Sequence, residues 1–139
     1  MPIHTDTITC HTRGHGDVVD LTRPAQEAVE ASGLRSGVLT LFVPGSTAGL
    51  TTIEFESGAV ADFRRLFDEI ASPDREYRHH LRWGDDNGHA HVRAALLGPS
   101  LAVPFVDGRL TLGTWQQIVL CDFDTQARDR RVVAQIQGE

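Results

Sequence analysis

The chain has 139 residues, and its 13 basic residues, all arginine, face 19 acidic ones for a formal net charge of −6. That balance disfavours nonspecific binding to nucleic acid or to an anionic membrane, both of which need surplus positive charge. The lack of lysine excludes Schiff-base chemistry, a phosphate-loop lysine and a lysine general base. Only two cysteines occur, Cys10 and Cys121, in unrelated contexts, so neither a CxxC redox motif nor a Cys-rich zinc site is present. Any chemistry must rest on His, Asp, Glu and Arg.

A hydrophobic share of 40% suits a single soluble domain spanning residues 1–139. No apolar run approaches a membrane span and Met1-Pro2-Ile3-His4 lacks a signal-peptide core, which points to the cytoplasm. From the N-terminus, Ile3–His11 reads as a strand, Arg13–Gly16 as a turn, and Val18–Leu21 as a second strand. Thr22 is expected to cap a helix that Gly33 stops. Gly37–Val43 is a continuous apolar run, as in a strand buried on both faces. After Pro44-Gly45-Ser46-Thr47, Leu50–Glu56 is the next strand, and Ser57 should cap a helix carrying Val60, Phe63, Leu66, Phe67 and Ile70 at helical spacing. Residues 71–87 have no period and read as a long functional loop, followed by a helix over His91–Leu97. Strands at Ser100–Val106 and Arg109–Trp115 flank an Asp107-Gly108 hairpin turn. Gln116–Phe123 and Arg131–Ile136 complete the chain's strands. The predicted fold is α+β, a mostly antiparallel sheet or sandwich with two or three packed helices.

The stretch Arg78–His91 concentrates four of the seven histidines beside Asp85 and Asp86. Imidazole nitrogen with carboxylate oxygen suits zinc or another first-row divalent metal, whereas calcium and magnesium favour oxygen alone. His89 and His91 can share one site only if the backbone around Ala90 is not yet helical, because residues two apart on a helix diverge. The bland alternative is a solvated loop whose Asp and Asn cap the next helix. Ser46 and Thr47 lie in a small-residue turn that either holds an oxyanion or is simply a tight connection. Glu54, in an otherwise apolar and Thr-rich strand, either faces solvent on the polar side of the pleat or is buried for a purpose such as general base work. Trp115 and Gln116 could stack on and hydrogen-bond a planar ligand, or be a core tryptophan beside a surface amide. One of Arg130 and Arg131 must face outward, and the other could meet an anion or an acidic neighbour.

Three segments in register, Gly45–Glu54, Gly84–His91 and Leu112–Gln116, resemble the YjbQ-like family, sometimes described as secondary thiamine-phosphate synthase enzymes. The resemblance runs over nearly the whole chain to the closing Gln135–Glu139. It implies a compact α+β homotrimer with clefts at or near the subunit interfaces. It implies a polar cluster of His79, His89, His91 and one of Asp85 or Asp86, with Asp85 preferred, and Glu54 as the acidic position. The implied activity joins a hydroxymethylpyrimidine diphosphate to a thiazole phosphate. The expected site is therefore His79, His89 and His91 on a divalent metal, zinc first, with Glu54 and Asp85 as catalytic carboxylates. Ser46, Thr47, Trp115 and Gln116 would contact a small anionic or phosphorylated ligand. Imidazole-rich ligation suits metal-assisted phosphate-ester hydrolysis better than magnesium-diphosphate chemistry. A non-catalytic trimeric metal- or metabolite-binding protein, with the His/Asp cluster serving an interface, is the alternative.

Overall fold

A computed structural model describes residues 1–139, apart from the side chain of Trp83. In chain order the elements are β1 (Ile3–Thr12), β2 (Asp17–Asp20), α1 (Thr22–Ser32), β3 (Gly37–Phe42), β4 (Ala48–Ile53) and α2 (Ser57–Ile70). Then follow α3 (Arg78–Trp83), α4 (Gly88–Leu97), β5 (Ser100–Val106), β6 (Arg109–Leu110), β7 (Gln117–Asp122) and β8 (Arg128–Gly138). All strand pairs are antiparallel, in a five-stranded sheet β1-β8-β3-β5-β6 and a three-stranded sheet β2-β7-β4. The α+β expectation holds, with four helices instead of two or three.

The layers follow from which faces are apolar. Leu39, Leu41, Val103, Phe105, Val132, Ala134 and Ile136 from the larger sheet pack with Leu50, Ile118 and Leu120 from the smaller one, α1 adding Ala25, Ala28 and Val29. The smaller sheet's opposite face, Val119 and Cys121, is covered by Phe67 of α2 and Ala90 and Ala94 of α4. The doubly buried strand is therefore β7, not β3. β3 alternates, with Leu39 and Leu41 fully buried while Val38 and Phe42 are 41% and 44% exposed on the outer face. The apolar run at 37–43 did not distinguish a strand in the middle layer from one on an outer sheet, because sequence periodicity reports side-chain polarity and not what covers each face.

Local details also differ from the expectation. Leu21 occupies the N-cap of α1; the Thr22 hydroxyl donates to Asp20 Oδ1 at 2.6 Å and accepts from the Ile118 N–H at 2.9 Å, fastening the helix to β7. Glu56, one residue before Ser57, caps α2 by accepting from the Gly58 and Ala59 N–H groups. Arg109–Trp115 forms a strand only at Arg109–Leu110, since Gln116 folds back to close a turn on Gly113. Asp107 and Gly108, with φ of 51° and 77°, connect paired residues Val106 and Arg109 as a two-residue hairpin turn, as their sequence predicts. Among the described residues no helix is long and apolar enough to cross a membrane.

Candidate metal centre

The expected long loop contains a short helix, α3, which Gly84 ends in a left-handed conformation with φ of 66°. The chain then turns through Asp85 and Asp86 directly into α4. Asp85 Oδ1 accepts from the Asn87 N–H at 3.1 Å and from His79 Nε2 at 2.9 Å. The Asn87 N–H, helped by the His79 imidazole, holds the Asp85 carboxyl below its ordinary value against a desolvation penalty. His91, in the first turn of α4, lies against His79 with ring centroids 4.5 Å apart. Ligand-type atoms of His79, Asp85 and His91 all fall within 4.8 Å of one another.

His91 Nδ1 sits 3.0 Å from the Ser46 carbonyl oxygen. A carbonyl only accepts, so Nδ1 carries the proton, and in the neutral ring the lone pair is then on Nε2. Holding the far nitrogen of a histidine on a carbonyl is how metal-ligating imidazoles are oriented. Ser46 thus enters through its backbone.

His89 is turned elsewhere. α4 begins at Gly88, so the backbone around Ala90 is helical, and at about 100° per residue two positions diverge by about 200°. His89 is buried, outside the His79–Asp85–His91 group, and its Nδ1 has no hydrogen-bond partner among the described residues. Burial, then the charge of Arg93, lowers its pKa and favours the neutral imidazole.

The other expected site residues are also placed apart from the triad's hydrogen bonds. Glu54 is exposed just beyond β4. Trp115 is 74% exposed at the tip of its turn. Gln116 Oε1 accepts from the Gly113 N–H and its Nε2 donates to Thr52 Oγ1. Thr47 is buried, its hydroxyl donating to Asp124 Oδ2 at 2.9 Å and accepting from Arg130 Nη2 at 2.7 Å. Arg130 is the inward-facing arginine of its pair and grips Asp122 with Nε at 2.7 Å and Nη2 at 2.9 Å. Asp122 and Asp124 are supports that sequence reasoning passed over. Their signal was two carboxylates in alternation at the end of the apolar run 118–121.

His80, which the sequence reading left out of the site, accepts the Gly88 N–H at 3.2 Å and so serves the start of α4. A Cβ on Gly88 would come 2.5 Å from Tyr77 Cβ and 3.0 Å from His80 Nε2. Gly88→Ala is therefore expected to push α3 from α4, lowering stability by about 1–3 kcal/mol. Thermal unfolding together with the metal affinity of the variant checks this, and an unchanged melting temperature would contradict it.

Two antiparallel sheets backed by helices, with an imidazole-carboxylate triad at the start of α4, define a small α+β protein with a candidate metal centre. The chain belongs to the YjbQ-like family: the family model "UPF0047 protein YjbQ-like" matches residues 6–139. A UPF0047 protein of Methanothermobacter thermautotrophicus is 32% identical over 139 residues, covering 100% of this chain and 95% of that protein. The UPF0047 protein YugU of Bacillus subtilis is 34% identical over 119 residues, 85% of this chain and 88% of its own length. The crystal structure of a YbjQ-like protein of unknown function from Sulfolobus solfataricus superposes with a TM-score of 0.94 at 35% identity, covering 99% of both chains.

Proposed function

We propose that this chain is a metal-dependent enzyme of small phosphorylated metabolites, working in the cytoplasm. A divalent ion, zinc first, would be held by His79, Asp85 and His91. The observation that carries the reading is the convergence of those three donors within 4.8 Å. Two imidazoles and one carboxylate leave a fourth position free on a four-coordinate ion, the pattern of catalytic rather than structural zinc. Ligands of such an ion stand about 3.3 Å apart, so small rotamer adjustments close the triad around it. When bound, the ion would lower the pKa of water and polarise a phosphoryl oxygen.

The chain's own groups prepare this. The Ser46 carbonyl selects the His91 tautomer whose lone pair is on Nε2, the Asn87 N–H helps keep Asp85 ionised, and Arg130 with Thr47 holds the loop that carries Ser46. Glu54 is proposed to exchange protons with the ligand, and the exposed Trp115 to stack on it, with Gln116 beside it. We also infer a homotrimer. Support comes from the outer face of the larger sheet, where Val38, Phe42 and Val106 stand open in the single chain. Light scattering should then read three times 15.3 kDa.

The deciding experiment loads the purified protein with zinc, manganese or magnesium and offers two assays. One is a panel of phosphate monoesters; the other is the joining of hydroxymethylpyrimidine diphosphate to thiazole phosphate. Hydrolysis with zinc or manganese, lost on chelation and restored by metal, supports the proposal. Thiamine-phosphate formation as the dominant activity would favour the synthase implied by the family resemblance. Bound metal without turnover in either assay would favour the non-catalytic binding protein.

A further inference from the structure

α4 carries polar side chains on two faces, and only one face belongs to the triad. On the other, His89 and Arg93, one turn apart, line a cavity of about 360 Å3 whose rim includes His15, Asp68, Asp86 and Thr125. His89 and Arg93 are each only 5% exposed, and chains rarely bury such groups without a partner. Yet among the described residues His89 Nδ1 has none. Arg93 donates through Nε to the Ala71 carbonyl at 3.0 Å and through Nη2 to Asp68 at 3.1 Å. Its Nη1 has no hydrogen-bond partner among the described residues. Phe67 and Phe123 lie 5.7 and 5.8 Å from the guanidinium carbon and fix its position.

Two further features converge on this cavity. Asn87 does not cap the ten-residue α4, because its Oδ1 accepts from the Thr125 N–H instead. His80 takes the Gly88 N–H, and the next two amides, of His89 and Ala90, have no acceptor among the described residues, which leaves the positive end of the helix dipole open to one. Of the three non-glycine residues with a left-handed backbone, two stand at the cavity: His15 with φ of 54° and Asp86 with φ of 59°. Such conformations gather at ligand sites, where the surrounding structure holds them in place.

We propose that this cavity binds a small oxyanion, a carboxylate or phosphate group, seated on Arg93 and the N-terminus of α4 with His89 as a hydrogen-bond partner. It is separate from the metal triad and does not rest on the triad's function. Asp68 is already matched by Arg93, which leaves Asp86 as the one unpaired carboxylate at the rim. The volume suits a small metabolite.

Thermal unfolding of the full chain is followed with sodium phosphate and, separately, sodium acetate, against sodium chloride at equal ionic strength. At least one anion should raise the melting temperature saturably, and equally in His91→Ala, because the triad takes no part. His89→Ala and Arg93→Lys should each weaken that anion at least tenfold. Asp86→Asn should tighten it severalfold by removing a like charge. Should Arg93→Lys fail to fold, His89→Ala and Asp86→Asn still decide. The proposal is overturned by no effect beyond chloride, or by an effect that vanishes in His91→Ala and so belongs to the triad. It is equally overturned if neither His89→Ala nor Asp86→Asn changes the affinity, or if Asp86→Asn weakens it, as removal of a cation ligand would.

Discussion

His91→Ala and His79→Ala are each expected to lose bound zinc, with affinity falling at least about 100-fold, while His89→Ala retains it. A first-row ion held by three protein ligands depends on each of them, and even partners that only orient a ligand cost about 10–100-fold when removed. His79 and His91 lie ring against ring, with Asp85 bonded to His79. His89 lies outside that group although it is two residues from His91. Elemental analysis after chelation and reconstitution reads the result directly. Zinc retained in His91→Ala would remove the triad as the metal centre, and zinc lost in His89→Ala would mean that α4 rearranges around the ion. The contrast between His89 and His91 is the sharpest point, because it is a consequence of where α4 begins.

Asp122→Ala is expected to be the most destabilising single change in the site's support, by about 3–5 kcal/mol. Asp122 is fully buried and accepts from Arg130 twice and from the Thr12 hydroxyl. Removing it leaves a guanidinium that is only 10% exposed without its main counter-charge. Arg130 would also loosen its hold on Thr47, and with it the loop whose Ser46 carbonyl orients His91. Urea unfolding measures the loss, and a change below about 1 kcal/mol would show that Asp124 alone can balance Arg130.

The neighbouring carboxylate gives this network a pH dependence. Burial opposes ionisation of Asp124, but bonds from the Thr47 hydroxyl, the Gln126 N–H and Arg128 outweigh it and hold its carboxyl below the ordinary range. A carboxyl with a lower pKa folded than unfolded stabilises fully above about pH 4 and loses that contribution as pH falls through the folded value. The network therefore weakens in acid, and Asp124→Asn should unfold with a shallower acid dependence than the parent chain.

Much of this molecule was legible from local chemistry. Asp107-Gly108 specified a two-residue hairpin because its backbone demands positive φ at both positions. The helical spacing of Phe63 and Phe67 placed α2, and Phe67 is buried against the smaller sheet as that spacing requires. The polar stretch 78–91 marked the candidate site, since His, Asp and Gly crowded between two helical patterns have no core to fill. Other features were not legible. Ser46 contributes a carbonyl, an atom every residue has, so its identity could not announce the role. Thr47 looked like a ligand donor, yet its hydroxyl is taken by Asp124 and Arg130, partners 77 and 83 positions away.

By itself the sequence determined the α+β class, the order of most elements and the family, because turn residues, periodicity and ordered motifs act over short stretches of chain. Only the tertiary structure decided which histidines meet. A shift of the start of α4 from His91 to Gly88 sends His89 to the opposite side of the helix, and that start is fixed by His80 and Tyr77 packing against Gly88. It also decided that β7 and not β3 lies between two covered faces. Both outcomes depend on which surfaces come together once the chain has folded, and local sequence carries no record of that.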